Sequence, residues 1–359
     1  MNYLKRLTGQ FRRYPFWSQL LITIGSMVVL VAIWSACGVP AQRPPEPPSF
    51  PPLKAPASLS TPDRQFPQQE KLVDTVAFDL SGRWMATAGN YHWQGNYNWQ
   101  VLIWDFRTGN FVRRLALQQG PIISVAFSRD GRILATASRN SEVALWDVNT
   151  AEYIRPLRGH SDAVQSVVFS PDGRTLATAS ADNSAKLWDF ETGRELRTLR
   201  GHSDTVNAVA FGPDGQALAT ASSDKTLRLW NSETGELIRT LTGHKAPVAT
   251  LGFRSDGKVL ASGSRTGYKL WDVRTGVEIP APSGRVDVTA VAFRPDGRIL
   301  AIAHSGTENT WNVDFLDLAE GRVVQSFAAH RIGISAIAWV PDGSWLVSVG
   351  PDGGIRCWH

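Results

Sequence analysis

Val164-Gln165-Ser166-Val167-Val168-Phe169-Ser170-Pro171-Asp172-Gly173 is the stretch that decides the fold. Its β-branched and aromatic residues favour a pleated strand. Ser-Pro-Asp-Gly then supplies a proline with pre-set φ, a turn-forming aspartate and a glycine tolerant of positive φ, so the strand reverses into a hairpin. Working outward, Thr175 to Ser180 reads as a second strand, Ala181-Asp182-Asn183 as a tight turn and Ala185 to Asp189 as a third strand. Glu191-Thr192-Gly193 is another turn, and Glu195 to Leu199 a fourth strand. Nothing in this region carries an uninterrupted helical period.

The unit recurs seven times, its first turn closed by Gly82, Gly131, Gly173, Gly215, Gly257, Gly297 and Gly343. Successive glycines from Gly131 to Gly257 are 42 residues apart, and Gly297 follows after 40. A second mark keeps the same phase: Trp104-Asp105, Trp146-Asp147, Trp188-Asp189, Trp230-Asn231, Trp271-Asp272, Leu316-Asp317 and Trp358-His359. Two phase-locked marks at such a period define a repeat array.

The pairs Gly159-His160, Gly201-His202 and Gly243-His244, the Ser-Pro-Asp-Gly turn and the closing Trp-Asp together resemble the WD40 repeat. The resemblance covers residues 61–359 and implies an all-β, seven-bladed propeller. In such a ring each first strand lines the central channel and each fourth lies outside. With the N-terminal segment described below, the arrangement resembles a bacterial-type anchored propeller. The chain stops at Trp358-His359, one strand short of a blade, so Thr61 to Phe66 is expected to supply the outer strand of the last blade. Closing the ring in this way removes an edge that would template aggregation.

The histidines invite a catalytic or metal reading. In the WD40 pattern, however, a Trp indole, a Ser or Thr hydroxyl, the His and an Asp hydrogen-bond in series inside the blade. The resemblance implies full sets at His160, Ser180, Asp182, Trp188 and at His202, Ser222, Asp224, Trp230. Elsewhere the set is expected to degrade, with Gln118 and Asn140 in the second blade, Thr266 in the fifth and Gly350 in the seventh. No H-E-x-x-H or C-x-x-C ligand spacing is present, so no catalytic residue, metal site or cofactor is expected.

Net charge is +5, but residues 1–60 hold six of the basic residues and only Glu46 among the acids, leaving 31 of each sign on the propeller. A balanced surface offers no footprint for nucleic acid. The propeller is expected to be monomeric. The two cysteines are Cys37 and Cys357; the second reads as a small buried hydrophobe, and no intrachain disulfide is expected.

Residues 1–38 combine a basic start, Lys5, Arg6, Arg12 and Arg13, with the 21-residue uncharged run Phe16 to Ala36, long enough to span a bilayer. The charge bias places the N-terminus in the cytoplasm and the propeller on the other side. Two versions fit: an uncleaved single-pass anchor, or a signal ending at Ser35-Ala36-Cys37-Gly38, which resembles a lipobox with Trp34 where leucine is usual. The second makes Cys37 the lipidation site. Residues 39–60, with Pro44-Pro45, Pro47-Pro48 and Pro51-Pro52, read as an extended spacer ahead of the propeller at 61–359.

Function is expected where repeats differ. The first repeat carries seven extra residues between its second and third strands, within Asn90 to Gln100, and the sixth carries four, including Trp311. Tyr91, His92, Trp93, Tyr97, Trp99, His304 and Trp311 are therefore the candidate interaction face, because aromatic residues with a polar handle anchor interfaces. The resulting expectation is a membrane-tethered scaffold that binds a protein or peptide through its upper face, with a small-molecule or glycan sensor as the alternative. An enzyme is not expected, because no acids, bases or nucleophile converge outside the repeat positions.

Overall fold

A computed structural model describes residues 64–66, 72–93, 96–116, 120–282, 286–306 and 310–359. The hydrophobic run Phe16 to Ala36, Cys37, the spacer at 39–60 and Gln118 lie outside the described residues.

Among the described residues the chain forms seven four-stranded antiparallel sheets. Six are built from consecutive strands, as in the third blade: Val164–Phe169, Thr175–Ser180, Ser184–Asp189 and Glu195–Arg200. The Ser-Pro-Asp-Gly turn behaves as its residues dictate. Gly173 has φ 75°, its N–H donates to the Ser170 carbonyl at 2.9 Å, and Ser170 Oγ donates to Asp172 Oδ1 at 2.5 Å.

The core lies in layers between blades. Ala177, Ala179, Leu187 and Leu199 of the third blade pack against Val206, Val209, Leu218 and Trp230 of the fourth. Within the third blade the second strand contributes the alanines and the third and fourth strands the leucines, so its side chains toward this layer grow away from the axis. Full burial of one such leucine contributes about 1.5–3 kcal/mol.

The seventh sheet has the order that closes a ring. Ala336–Trp339, Leu346–Val349 and Ile355–Trp358 are joined by Arg64–Gln65, with Arg64 opposite Cys357 and Gln65 opposite Arg356. Phe66 N–H donates to the Ile355 carbonyl at 3.3 Å, and its buried ring lies 5.6 Å from Trp104 and 5.9 Å from Phe106 of the first blade. Leu199 plays the same part toward Trp230. The N-terminal segment thus completes the last blade and fastens it to the first. Cys357 is buried, as its place in the last strand implies.

The first blade departs from the plain repeat by lengthening its central hairpin. Trp84–Trp93 pairs with Asn96–Asp105 along its whole length, from Trp84 opposite Asp105 to Trp93 opposite Asn96. The seven additional residues therefore extend the ladder instead of forming an irregular loop. In the sixth blade Ile299–Ser305 pairs with Trp311–Asp317 out to Ser305 opposite Trp311.

Candidate functional site

Two sets of residues compete for a role: the buried polar relays and the upper face. The relay in the third blade runs through four side chains. Trp188 Nε1 donates to Thr178 Oγ1 at 2.9 Å, Thr178 Oγ1 lies 2.7 Å from His160 Nε2, and His160 Nδ1 lies 2.8 Å from Asp182 Oδ2. A carboxylate only accepts, so Nδ1 carries the proton and Nε2 accepts from the threonine. The fourth blade repeats this with Trp230, Thr220, His202 and Asp224 at 2.9, 2.8 and 2.8 Å.

The hydroxyl is therefore not the expected one. Ser180 and Ser222 stand outside the relay: each donates at 3.0 Å to a loop carbonyl, Asp162 O and Asp204 O, and accepts the N–H of Asp182 or Asp224. The register explains the difference. Trp188 is opposite Leu176, so Thr178 is two residues away along the second strand while Ser180 is four, beyond the reach of the indole. The sequence holds a signal for this. Thr87, Thr136, Thr178, Thr220, Ser262 and Ser348 accompany six tryptophans, and where the tryptophan becomes Leu316 the matching residue is Ile302.

The seventh blade, expected to be incomplete at Gly350, has a full relay because Ser348 supplies the hydroxyl. Trp358 Nε1 donates to Ser348 Oγ at 2.9 Å, His330 Nε2 lies 2.9 Å from it, and His330 Nδ1 is 2.8 Å from Asp352. The fifth blade lacks the acid, as Thr266 implies. There His244 Nδ1 meets Ser264 Oγ at 3.1 Å and Nε2 meets Ser262 at 2.7 Å. In the second blade Trp146 donates to Thr136 at 3.1 Å and Ser138 bonds Asn140. The sixth blade substitutes a buried pair, with His304 Nε2 3.2 Å from Asp314 Oδ2 and Nδ1 2.7 Å from the Ser305 carbonyl.

Electrostatics follow from burial and partners. Burial holds the imidazoles of His160, His202 and His330 below their ordinary value although a carboxylate pulls each the other way. His244 has burial and nearby Lys269 acting together without an aspartate, and falls to about 4. Burial acts to raise the Asp182 and Asp224 carboxyls, but hydrogen bonds from Ser184 or Thr226 and from the histidine bring both down to about 2. The relays hold neutral histidines against ionised aspartates, with the histidine nitrogens engaged inside the blade.

The upper face is defined by the turns between second and third strands together with the loops that join blades. Backbone bonds tie them: Ala181 N–H donates to Ala163 O at 2.9 Å, Ser223 N–H to Thr205 O at 2.9 Å and Val73 N–H to Gly350 O at 3.3 Å. The hairpin of the first blade rises on this face, with Tyr91 opposite Asn98 and His92 opposite Tyr97. The side chains of Tyr91, His92, Trp93 and Tyr97 lie outside the described residues, and Trp99 is half-buried. Trp311 is half-buried against the apolar layer between the sixth and seventh blades. His304 is buried, so it serves the interior of its blade and presents no surface for a partner.

A family model described as the IFT122 first beta-propeller matches residues 166–359, more than half of the chain, and the WD domain, G-beta repeat model matches residues 109–147. Similar curated proteins include human WD repeat-containing protein 36, 30% identical over 97 residues, which are 27% of this chain and 10% of that protein. Periodic tryptophan protein 2 of Arabidopsis thaliana is 31% identical over 91 residues, 25% of this chain and 10% of that protein. Mouse WD repeat and SOCS box-containing protein 1 is 32% identical over 92 residues, 25% of this chain and 21% of that protein. The matched segments thus span a tenth to about a fifth of these relatives. With seven closed blades, tryptophan-hydroxyl-histidine relays and a family match across its C-terminal half, the chain belongs to the WD40-repeat β-propeller family.

Proposed function

We propose that the chain is a membrane-tethered scaffold that binds a protein or peptide across the upper face of its propeller, and that it is not an enzyme. The observation that carries this reading is where the repeats differ. The relay histidines and aspartates are engaged within blades, whereas the first blade extends a hairpin of Tyr, Trp, Asn and Gln above the common turn height. The charge-free run of residues 90–100 also suits a neutral glycan, which is the alternative ligand.

Tethering rests on Phe16 to Ala36, uncharged over 21 residues after four basic ones. Membrane fractionation followed by intact mass tests it. A mature chain beginning at acylated Cys37 supports the lipoprotein version, and a chain retaining residues 1–36 supports the uncleaved anchor. Full-length chain recovered in the soluble fraction contradicts both. Affinity capture from solubilised membranes tests the scaffold: partners should depend on residues 61–359, and partners retained by residues 1–60 alone would contradict it.

A further inference from the structure

We infer that the partner sits on one sector of the upper face, formed by the sixth, seventh and first blades, and that it presents an extended apolar peptide with a carboxylate set against Arg331. This deepens the scaffold reading and rests on it. The blades of the chain provide their own comparison. Seven residues before the aromatic that ends the first strand, the joining loop carries Gly120 in the second blade, exposed Asp162 in the third, exposed Asp204 in the fourth and Ala246 in the fifth. The same position holds Val286 in the sixth blade and Ile332 in the seventh, 52% and 65% exposed, and one residue further on Leu72 of the first blade is 39% exposed. Two of the remaining four loops place an acid there and none of the four an exposed large apolar side chain.

A second departure falls on the same three blades. Two residues beyond the relay-hydroxyl position of the second strand stand Ser138, Ser180, Ser222 and Ser264 in blades two to five, but His304, Gly350 and Gly89 in blades six, seven and one. The glycines are required. A Cβ on Gly350 would lie 2.3 Å from the Gly333 carbonyl oxygen, and one on Gly89 would lie 1.9 Å from that of Leu72. In the sixth blade Ser305 donates to the Val286 carbonyl instead, through Oγ at 3.1 Å. Each of these loops is drawn onto its blade with an apolar side chain left in water.

Neighbourhood follows from the backbone. Val73 N–H, next to Leu72, bonds Gly350 O, and Gly333, next to Ile332, packs on Gly350 and Pro351, so the loops of blades seven and one meet over one glycine turn. Single exposed apolar residues need no explanation, but three on successive loops, where the third and fourth blades use acids, mark a contact surface. Among the described residues Arg331 is an adjoining exposed charge, while Asp287 is engaged by Arg265 at 3.1 Å. A cation beside apolar side chains complements a peptide with apolar anchors and one acid.

Selection of random twelve-residue display peptides on the purified full chain tests the assignment, with the enriched peptide measured by fluorescence anisotropy. The expected winners carry at least two apolar residues and an acid. Their affinity should fall at least tenfold in Ile332→Glu, Leu72→Glu and Arg331→Glu, and stay within about twofold in Asp162→Lys and Asp204→Lys. Thermal midpoints establish that the variants fold, as expected for exposed positions. Binding that survives Ile332→Glu and Leu72→Glu but is lost in Asp162→Lys or Asp204→Lys overturns the sector and leaves upper-face binding standing. Failure to enrich any peptide, or indifference to all five substitutions, overturns both.

Discussion

Thr178 shows how much one hydroxyl carries. It accepts from the Trp188 indole and serves His160, so removing it leaves two buried polar groups without their partner, each at a cost of about 1–3 kcal/mol. Thr178→Val should lower the free energy of unfolding by about 2–4 kcal/mol in urea denaturation, and Ser180→Ala, outside the relay, by about 1 kcal/mol. Equal losses would mean that both hydroxyls share the indole. The histidines also set a pH dependence. Their folded values lie below 6.5, so beneath that pH the unfolded chain binds more protons than the folded one and stability is lost as the pH drops. For His244 the loss runs from 6.5 down to about 4, and the loss from Asp182 and Asp224 follows between 3.8 and about 2. The unfolding midpoint should be level above pH 7 and decline toward pH 4, and His244→Gln should flatten part of that slope. A midpoint that rises on acidification would contradict neutral buried histidines.

At the scale of elements, the closing strand is short and decisive. Arg64–Gln65 gives only two residue pairs, so most of its hold comes from Phe66, which is 4% exposed and packed on Trp104 and Phe106. Phe66→Ala should cost about 3–5 kcal/mol, and deletion of residues 61–68 should destabilise the whole domain in thermal unfolding. An unchanged midpoint would contradict closure by this strand. Strands, turns and closure were legible in the sequence because each rests on local chemistry: alternation, Pro-Asp-Gly turns, and an aromatic at the outer-strand position. The relay hydroxyl was misassigned because its partner depends on register, and Thr178 and Ser180 differ by one step along the same face. The blade-one insertion showed its place but not its pairing, because Asn and Gly interrupt its aromatics, whereas the flanking strands continue out to Trp93 opposite Asn96. His304 looked like a surface residue because nothing local announces Asp314, ten residues away across the hairpin.

At the scale of the whole domain, repetition frees a few positions to differ. Four blades keep serine two residues beyond the relay-hydroxyl position, while blades six, seven and one change it together, and the same three carry exposed apolar residues on their joining loops. Exposed Leu196 and Ile238 lie instead on outer strands and offer an internal control. Site-specific photo-crosslinking of the full chain in intact membranes puts the central claim, a partner held on the upper face, to the most direct test. A photoreactive residue replacing Ile332 or Trp99 should yield discrete adducts of higher mass, and one replacing Leu196 or Ile238 should yield none. Adducts confined to the outer-strand positions, or equal from all four, would contradict the account.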